Sequence, residues 1–244
     1  MKTQYIIGLI VIGILLVGAY MMDASAAVVS ATGTAVMKVQ PDTALVYVSI
    51  ESRDSTASVA QAAHSEIRDK VLQALGDLGI AKDKIQLINY AVYPEYDWNN
   101  GKQTQKGFVA TQQIVVSTED FDQVSTIVDA VVAHEALINS IQFELSQEKQ
   151  NEYKSQVLSA ASKDAKEKAA STASGLGKNL GRLVAVQTQD FYYPGPIMYY
   201  AKDSYSGVSA SAGAMEVREA AANLTPGDID VNANIVVQYK LSKF

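Results

Sequence analysis

Ile229-Asp230-Val231-Asn232-Ala233-Asn234-Ile235-Val236-Val237-Gln238-Tyr239-Lys240-Leu241 is the stretch that decides the fold class. Ile229, Val231, Ala233, Ile235, Val237, Tyr239 and Leu241 alternate with Asp230, Asn232, Asn234, Val236, Gln238 and Lys240. Side chains on a strand point to opposite faces in turn, so this period of two predicts a long strand with one packed face and one mostly wet face. Strands of that kind belong to antiparallel sheets with helices on one side.

Working outward, residues 43–51 show the same period, with Ala44, Val46, Val48 and Ile50 opposed to Leu45, Tyr47, Ser49 and Glu51. Ser58 and Gln61 have capping-box spacing. They predict an amphipathic helix of about six turns that closes at Gly79, with Val59, Ala63, Ile67, Val71, Ala74 and Leu78 as its inward stripe. Residues 85–93 and 108–117 read as strands, and the polar segment between them, with Asn99-Asn100-Gly101, as a long hairpin loop. Thr118 and Asp120 stand where they would cap a second helix carrying Phe121, Val124, Ile127, Val128 and Val131, after which residues 140–145 return as a strand. Strand, helix, strand thus occurs twice, the order a duplicated β-α-β unit would leave.

A long alanine-rich helix is expected over about residues 148–176, with Leu158, Ala161, Ala165, Ala169, Thr172 and Leu176 inward. Lys163, Asp164, Lys166, Glu167 and Lys168 take the other side, Asp164 and Lys168 at pairing distance. Residues 183–189 form another strand. The expected fold is therefore α+β: mainly antiparallel sheet, two shorter helices and one long alanine-rich helix packed on it. A loop rich in Tyr, Ser and Gly is expected at about residues 190–226, a length usually associated with function or disorder.

The 244 residues hold 20 Lys and Arg against 26 Asp and Glu, a net charge of −6, and no cysteine. A mildly acidic chain without a basic cluster repels nucleic acid and anionic lipid. Without a disulfide framework, stability must come from a hydrophobic core. Residues 5–22 are an apolar run of 18 after the single early cation Lys2, followed by Ala24-Ser25-Ala26. That order is a signal peptide cut after Ala26 or, since about 17 residues suffice to span a bilayer, an uncleaved membrane anchor. Either way residues 27–244 form the working domain, exported or anchored facing outward, with the membrane a partner through residues 5–22 if they are retained.

Motifs with chemistry are few. Gly175-Leu176-Gly177-Lys178-Asn179-Leu180-Gly181 follows a helix instead of opening one and has Asn179 where a phosphate loop needs Ser or Thr, so it reads as a helix C-cap and turn. Asp97-Trp98-Asn99-Asn100-Gly101 lacks the ligand count of a calcium loop. His64, on the expected polar face of the first helix, and His134, at a helix end, are the only histidines, and no further metal ligands group with them. Gly207-Val208-Ser209-Ala210-Ser211 departs from the nucleophile elbow at its fifth position. Asn223-Leu224-Thr225 is a glycosylation sequon followed by Pro226. No cofactor and no metal is expected. Glu95 and Asp97, alternate residues of one strand, are the carboxylate pair an envelope saccharide-acting enzyme would use.

Aromatic placement is the unusual feature. Tyr90, Tyr93, Tyr96 and Trp98 precede one loop, while Phe191, Tyr192, Tyr193, Tyr199, Tyr200 and Tyr205 populate another around Pro194-Gly195-Pro196. Tyr and Trp give large contact area at small entropy cost, so Tyr93, Tyr96, Trp98, Tyr192, Tyr193, Tyr199, Tyr200 and Tyr205 form the candidate interaction surface. Packing of these rings onto their own domain is the alternative.

Over residues 29–241 the chain resembles the SIMPL-domain proteins of cell envelopes. The resemblance is carried in order by Ala31-Thr32-Gly33-Thr34-Ala35, Pro41-Asp42-Thr43-Ala44, Leu78-Gly79-Ile80 with Ile85, and Tyr93-Pro94-Glu95-Tyr96. It continues through Gly107-Phe108-Val109-Ala110, Ile141-Gln142-Phe143, Ala173-Ser174-Gly175-Leu176-Gly177 and Thr225-Pro226-Gly227-Asp228-Ile229. Ala133-His134-Glu135-Ala136 departs from the usual Gly-Ala pair, and Ala31 replaces the first glycine of an opening Gly-x-Gly. The resemblance implies an α+β envelope domain, often a homo-oligomer, linked to oxidative-stress tolerance or known as a surface antigen, and without agreed catalytic residues. The expectation is a non-enzymatic envelope assembly whose partner is a second copy of itself. An adaptor that binds another envelope protein through its aromatic loops, and the saccharide-acting enzyme, are the alternatives.

Overall fold

The computed structural model describes residues 27–99, 101–200 and 226–242. The apolar run and Ala24-Ser25-Ala26, the serine motif at 207–211, Tyr205 and the sequon at Asn223 lie outside the described residues. Among the described residues no helix is long and apolar enough to cross a membrane. Their elements run β1 (Val28–Val39), β2 (Thr43–Asp54), α1 (Ala57–Asp77), a 3-10 turn (Lys82–Lys84), β3 (Ile85–Asn99) and β4 (Lys102–Thr118). There follow α2 (Gln123–Val132), β5 (Leu137–Glu144), α3 (Gln147–Gly175), β6 (Asn179–Tyr192), β7 (Ile197–Tyr200) and β8 (Ile229–Ser242). The α+β class with antiparallel pairing is as the alternation predicts. Two compact units emerge: one from described residues 27–38, 151–193 and 230–242, the other from 39–150, 194–200 and 226–229.

The second unit is a five-stranded sheet in the order β3-β4-β2-β5-β7, with neighbouring strands antiparallel. The passage β2-α1-β3 steps over β4, and β4-α2-β5 steps over β2, so the two strand-helix-strand runs of the sequence interlock as a split β-α-β, ferredoxin-like sheet. Val46, Val48 and Ile50 of β2, Ile114 and Val116 of β4 and Phe143 of β5 meet Val71 and Leu75 of α1 and Ile127 and Val131 of α2 in one core. Phe143 packs edge-on to both Phe121 and Tyr199, at 5.1 and 5.8 Å.

Several local expectations are corrected here. Thr56, not Ser58, caps α1, its hydroxyl accepting the Val59 N–H at 3.4 Å. The buried stripe is Ala60, His64, Val71 and Leu75 with Ile67 and Leu78 partly buried, while Val59 is 48 % exposed. One position on a helix is a 100° rotation, and the alanines on both sides gave the pattern no contrast. His64 is therefore in the core and not on the polar face. Thr118 and Asp120 shape the turn before α2 by accepting the Asp120 and Asp122 N–H groups, and the helix itself starts at Gln123.

The long hairpin loop is absent: β3 and β4 stay paired through Glu95↔Gly107, Trp98↔Gln103 and Asn99↔Lys102. Gly101, at φ 75°, supplies the left-handed backbone a tight hairpin turn needs. Part of the expected loop at 190–226 is also strand, because β6 runs to Tyr192 and β7 pairs with β5 through Ile197↔Phe143 and Tyr199↔Ile141.

Asp42 shows what the Pro41-Asp42 motif does. Its carboxylate accepts the Ser146 N–H and hydroxyl, both at 2.6 Å, and Ser146 Oγ in turn accepts the Lys149 N–H at 3.3 Å, so an acid on the approach to β2 fixes the cap of α3. Burial, together with the Asp42 charge, pushes the Glu144 carboxyl above its usual range.

The first unit is a three-stranded sheet, β1-β8-β6, with α3 packed by Val157, Ala161, Ala165, Ala169 and Ala173. Leu158, Thr172 and Leu176 were expected on that stripe; Thr172 is exposed and Leu176 is 63 % exposed, because the four-residue alanine spacing sets the seam. A Cβ on Gly33 would collide with the Ala161 carbonyl oxygen and lie 2.5 Å from the Ala165 nitrogen, so strand and helix backbones touch there. Beside that contact Asp164 Oδ2 accepts the Thr34 N–H at 2.8 Å and the Lys168 ammonium at 2.6 Å. An edge strand thereby has an outward amide satisfied by a helix side chain. Both donors hold the Asp164 carboxyl below its usual value, the Lys168 hydrogen bond first.

Candidate functional site

The aromatic residues singled out from the sequence fall into different settings. β3 is an outer strand of its sheet, and its far half leaves the helix-covered part as a two-stranded ribbon with β4. Tyr93, Tyr96 and Trp98 sit on it with exposures of 48, 46 and 69 %. Strand alternation puts Tyr96 and Trp98 on one face with Val92 and Pro94, and Tyr93 on the other with Glu95 and Asp97. β3 therefore offers aromatic surface on both faces, Tyr93 where β2 still flanks β4, and Tyr96 with Trp98 on the two-stranded ribbon beyond.

Tyr192 ends β6 opposite Asn232 and is exposed, and Tyr193 after it is half-buried. Tyr199 is half-buried on β7 against Phe143, and Tyr200 pairs with Ser140. Tyr192 and Tyr193 belong to the first unit and Tyr199 and Tyr200 to the second, so the one aromatic loop of the sequence is shared between two units.

Glu95 and Asp97 do share a face, as their spacing requires. Each faces a cation: Arg53 Nε lies 3.3 Å from Glu95, and Lys106 Nζ 3.8 Å from Asp97, on side chains about a third or more exposed. A general acid is made by a carboxyl in a shielded, apolar setting that favours its neutral form. Glu95 and Asp97 stand on an open ribbon beside cations and not in such a pocket.

Two features escaped the sequence reading. β6 is an outer strand of the three-stranded sheet, and Leu183, Val184 and Val186 on it are 47, 48 and 54 % exposed. Their apolar run was visible in the sequence; that nothing described covers it was not. The other is His64, buried without exposure and edge-on to Tyr90 at 5.3 Å. Its signal was the spacing Ala60, His64, Ile67, Val71, Leu75, which fits a buried helical stripe.

A cleft of about 310 Å³ lies where Ala63, Glu66, Ile67 and Lys70 of α1 meet Ala133, His134 and Glu135 after α2. Lys70 donates to Glu66 at 2.7 Å; that bond raises the ammonium's pKa and lowers the carboxyl's. Glu135 has φ 63°. Among the described residues no group of three His, Cys, Asp or Glu is placed to hold a metal ion.

These features define an α+β protein whose outer strands β3 and β6 carry exposed aromatic and apolar side chains that no described residue covers. The SIMPL family profile, described as a protein of unknown function (DUF541), matches residues 29–239, and the chain belongs to that family. It is similar to the uncharacterized protein YggE of Escherichia coli K12, 27 % identical over 202 residues that cover 82 % of this chain and 80 % of the relative. YggE of Edwardsiella ictaluri is 28 % identical over 185 residues, 74 % of this chain and 77 % of the relative. The 26 kDa periplasmic immunogenic protein of Brucella melitensis is 30 % identical over 133 residues, 49 % of this chain and 53 % of the relative.

Proposed function

We propose that this chain is an exported, non-enzymatic protein of the cell envelope that works as an assembly of its own copies, in a role protecting the envelope under stress. The observation that carries the assembly is the pair of bare outer strands: β3 with Tyr93, Tyr96 and Trp98, and β6 with Leu183, Val184 and Val186. Exposed strand edges bearing apolar and aromatic side chains template pairing with another chain. Tyr and Trp are enriched at such contacts. Tyr192, at the end of β6, extends that surface. Export is supported by the apolar run at 5–22 with Ala24-Ser25-Ala26, and by similarity to a Brucella protein named as periplasmic. The stress role rests on resemblance alone.

Polar substitution of the two edges tests the reading. In residues 27–244, Tyr96→Ser with Trp98→Ser, and separately Leu183→Ser with Val186→Ser, should each lower the solution mass while circular dichroism stays unchanged. A mass that neither pair alters sinks the edges as contacts. An activity on envelope saccharide that disappears in Asp97→Asn would replace the assembly reading with the enzymatic one.

A further inference from the structure

His64 is the one imidazole in the core of the second unit, and both ring nitrogens are buried without a hydrogen-bond partner among the described residues. Gln112 Oε1 is the other buried side-chain atom in that condition. Register brings the two together. Ser52 Oγ donates to the Ala60 carbonyl at 2.6 Å, which fixes where α1 crosses β2. One helical turn further, roughly 6 Å, matches two strand residues. That places His64 over Ile50 and its cross-strand partner Gln112.

The edge strand is irregular at the same level. Ile88 pairs with Gln113 and Ala91 with Thr111, so Asn89 and Tyr90 together oppose Gln112 in a β-bulge, with Asn89 at φ 54°. Tyr90 of that bulge is the ring seated on His64. Asn89 Nδ2 fastens the bulge to Gln113 Oε1 at 2.7 Å.

We propose that His64 is a proton-operated latch on β3: neutral, it seats the Tyr90 bulge on the core; protonated, it releases that strand. An imidazolium here would be a buried cation facing the Tyr90 phenol ring from β3, the Gln112 amide from β4 and apolar Ile50 from β2, with no carboxylate among them. The charge that acts on it is Arg68 of its own helix, of the same sign. Glu66, Lys70, His134 and Glu135 line the cleft on the neighbouring side of α1, which His64 does not line. Burial first and Arg68 second lower the imidazole's pKa from the usual 6.5. An opened state exposes the ring at its ordinary value, so it takes up a proton at a higher pH than the closed state does. Opening is therefore favoured as pH falls below about 6.5, by up to about tenfold per pH unit, until the closed form also titrates. The strand released is the one that carries Tyr93, Tyr96 and Trp98.

Amide hydrogen exchange on the full mature chain between pH 7.5 and 5.0 tests the latch, expressed as protection factors so that the pH dependence of chemical exchange divides out. Protection of the β3 amides from 87 to 92 should fall below pH 6.5 in the wild type and stay level in His64→Phe, while β8 amides change in neither. Should His64→Phe misfold, the wild-type imidazole signals decide, since His64 should titrate below 6.5 together with β3 amide shifts. Parallel protection profiles in the two proteins, or a His64 that titrates at or above 6.5 without moving β3, would overturn the proposal.

Discussion

The two units bury their helices in opposite ways. In the second, Val71 and Leu75 of α1 and Ile127 and Val131 of α2 fill the space above β2, β4 and β5 with branched side chains. In the first, α3 brings only Val157 and four alanines, and Gly33 on β1 has no side chain at all, so backbone meets backbone. A core of large side chains tolerates small changes of volume, whereas a seam of small residues tolerates none, because no flexible atom can move aside. The same contrast explains the pattern of motifs: Gly33 is demanded by a contact, Leu75 by a volume.

The largest effect should therefore come from the smallest residue. Gly33→Val drives a side chain into the Ala161 carbonyl and should cost about 3 kcal/mol or more, or prevent folding. Urea unfolding followed by circular dichroism reads it, and an unchanged midpoint would mean that the seam is not close-packed. Next is Leu75→Ala in the second unit, expected to cost about 3 kcal/mol by leaving a partly collapsed cavity. A loss well under 1 kcal/mol would mean that this core is as adaptable as a surface.

The smallest effect belongs to the charge beside the seam. The Asp164 carboxyl is held below its unfolded value by Lys168 and the Thr34 N–H. Its contribution is present above the unfolded pKa, near 4, and is lost as pH falls through the lower folded value. In Asp164→Asn the acid limb of the stability curve should flatten slightly while stability at neutral pH changes little. Identical acid limbs in the two proteins would remove Asp164 from the account.

Legibility in the sequence followed burial contrast. β2 and β8 alternate because one face is packed and the other wet, and α2 reads cleanly because its Val and Ile at 124, 127, 128 and 131 keep helical spacing across Ser125, Thr126 and Asp129. The paired segment 94–107 has no buried face over most of its length, so nothing in its composition announces a strand, and it reads as a loop. The stripes of α1 and α3 slip because alanine is common on every side of both helices, and the true phase is set by contacts such as Ser52 with Ala60 or Gly33 with Ala161. Those lie between residues distant in sequence. For the candidate surface, the choice of aromatic residues was legible but their exposure was not: Trp98 stands out from the ribbon while Tyr199 packs on Phe143. Both are aromatic residues on outer strands of the same sheet, and what separates them is whether a core side chain such as Phe143 lies against the ring.

The central claim is that the exposed sheet edges β3 and β6 of this α+β fold exist to be covered by further copies. Light scattering behind a sizing column, on residues 27–244 over a range of concentrations, tests it most directly. The account predicts one discrete multiple of the protomer mass that persists on dilution. A protomer mass at every concentration would contradict it.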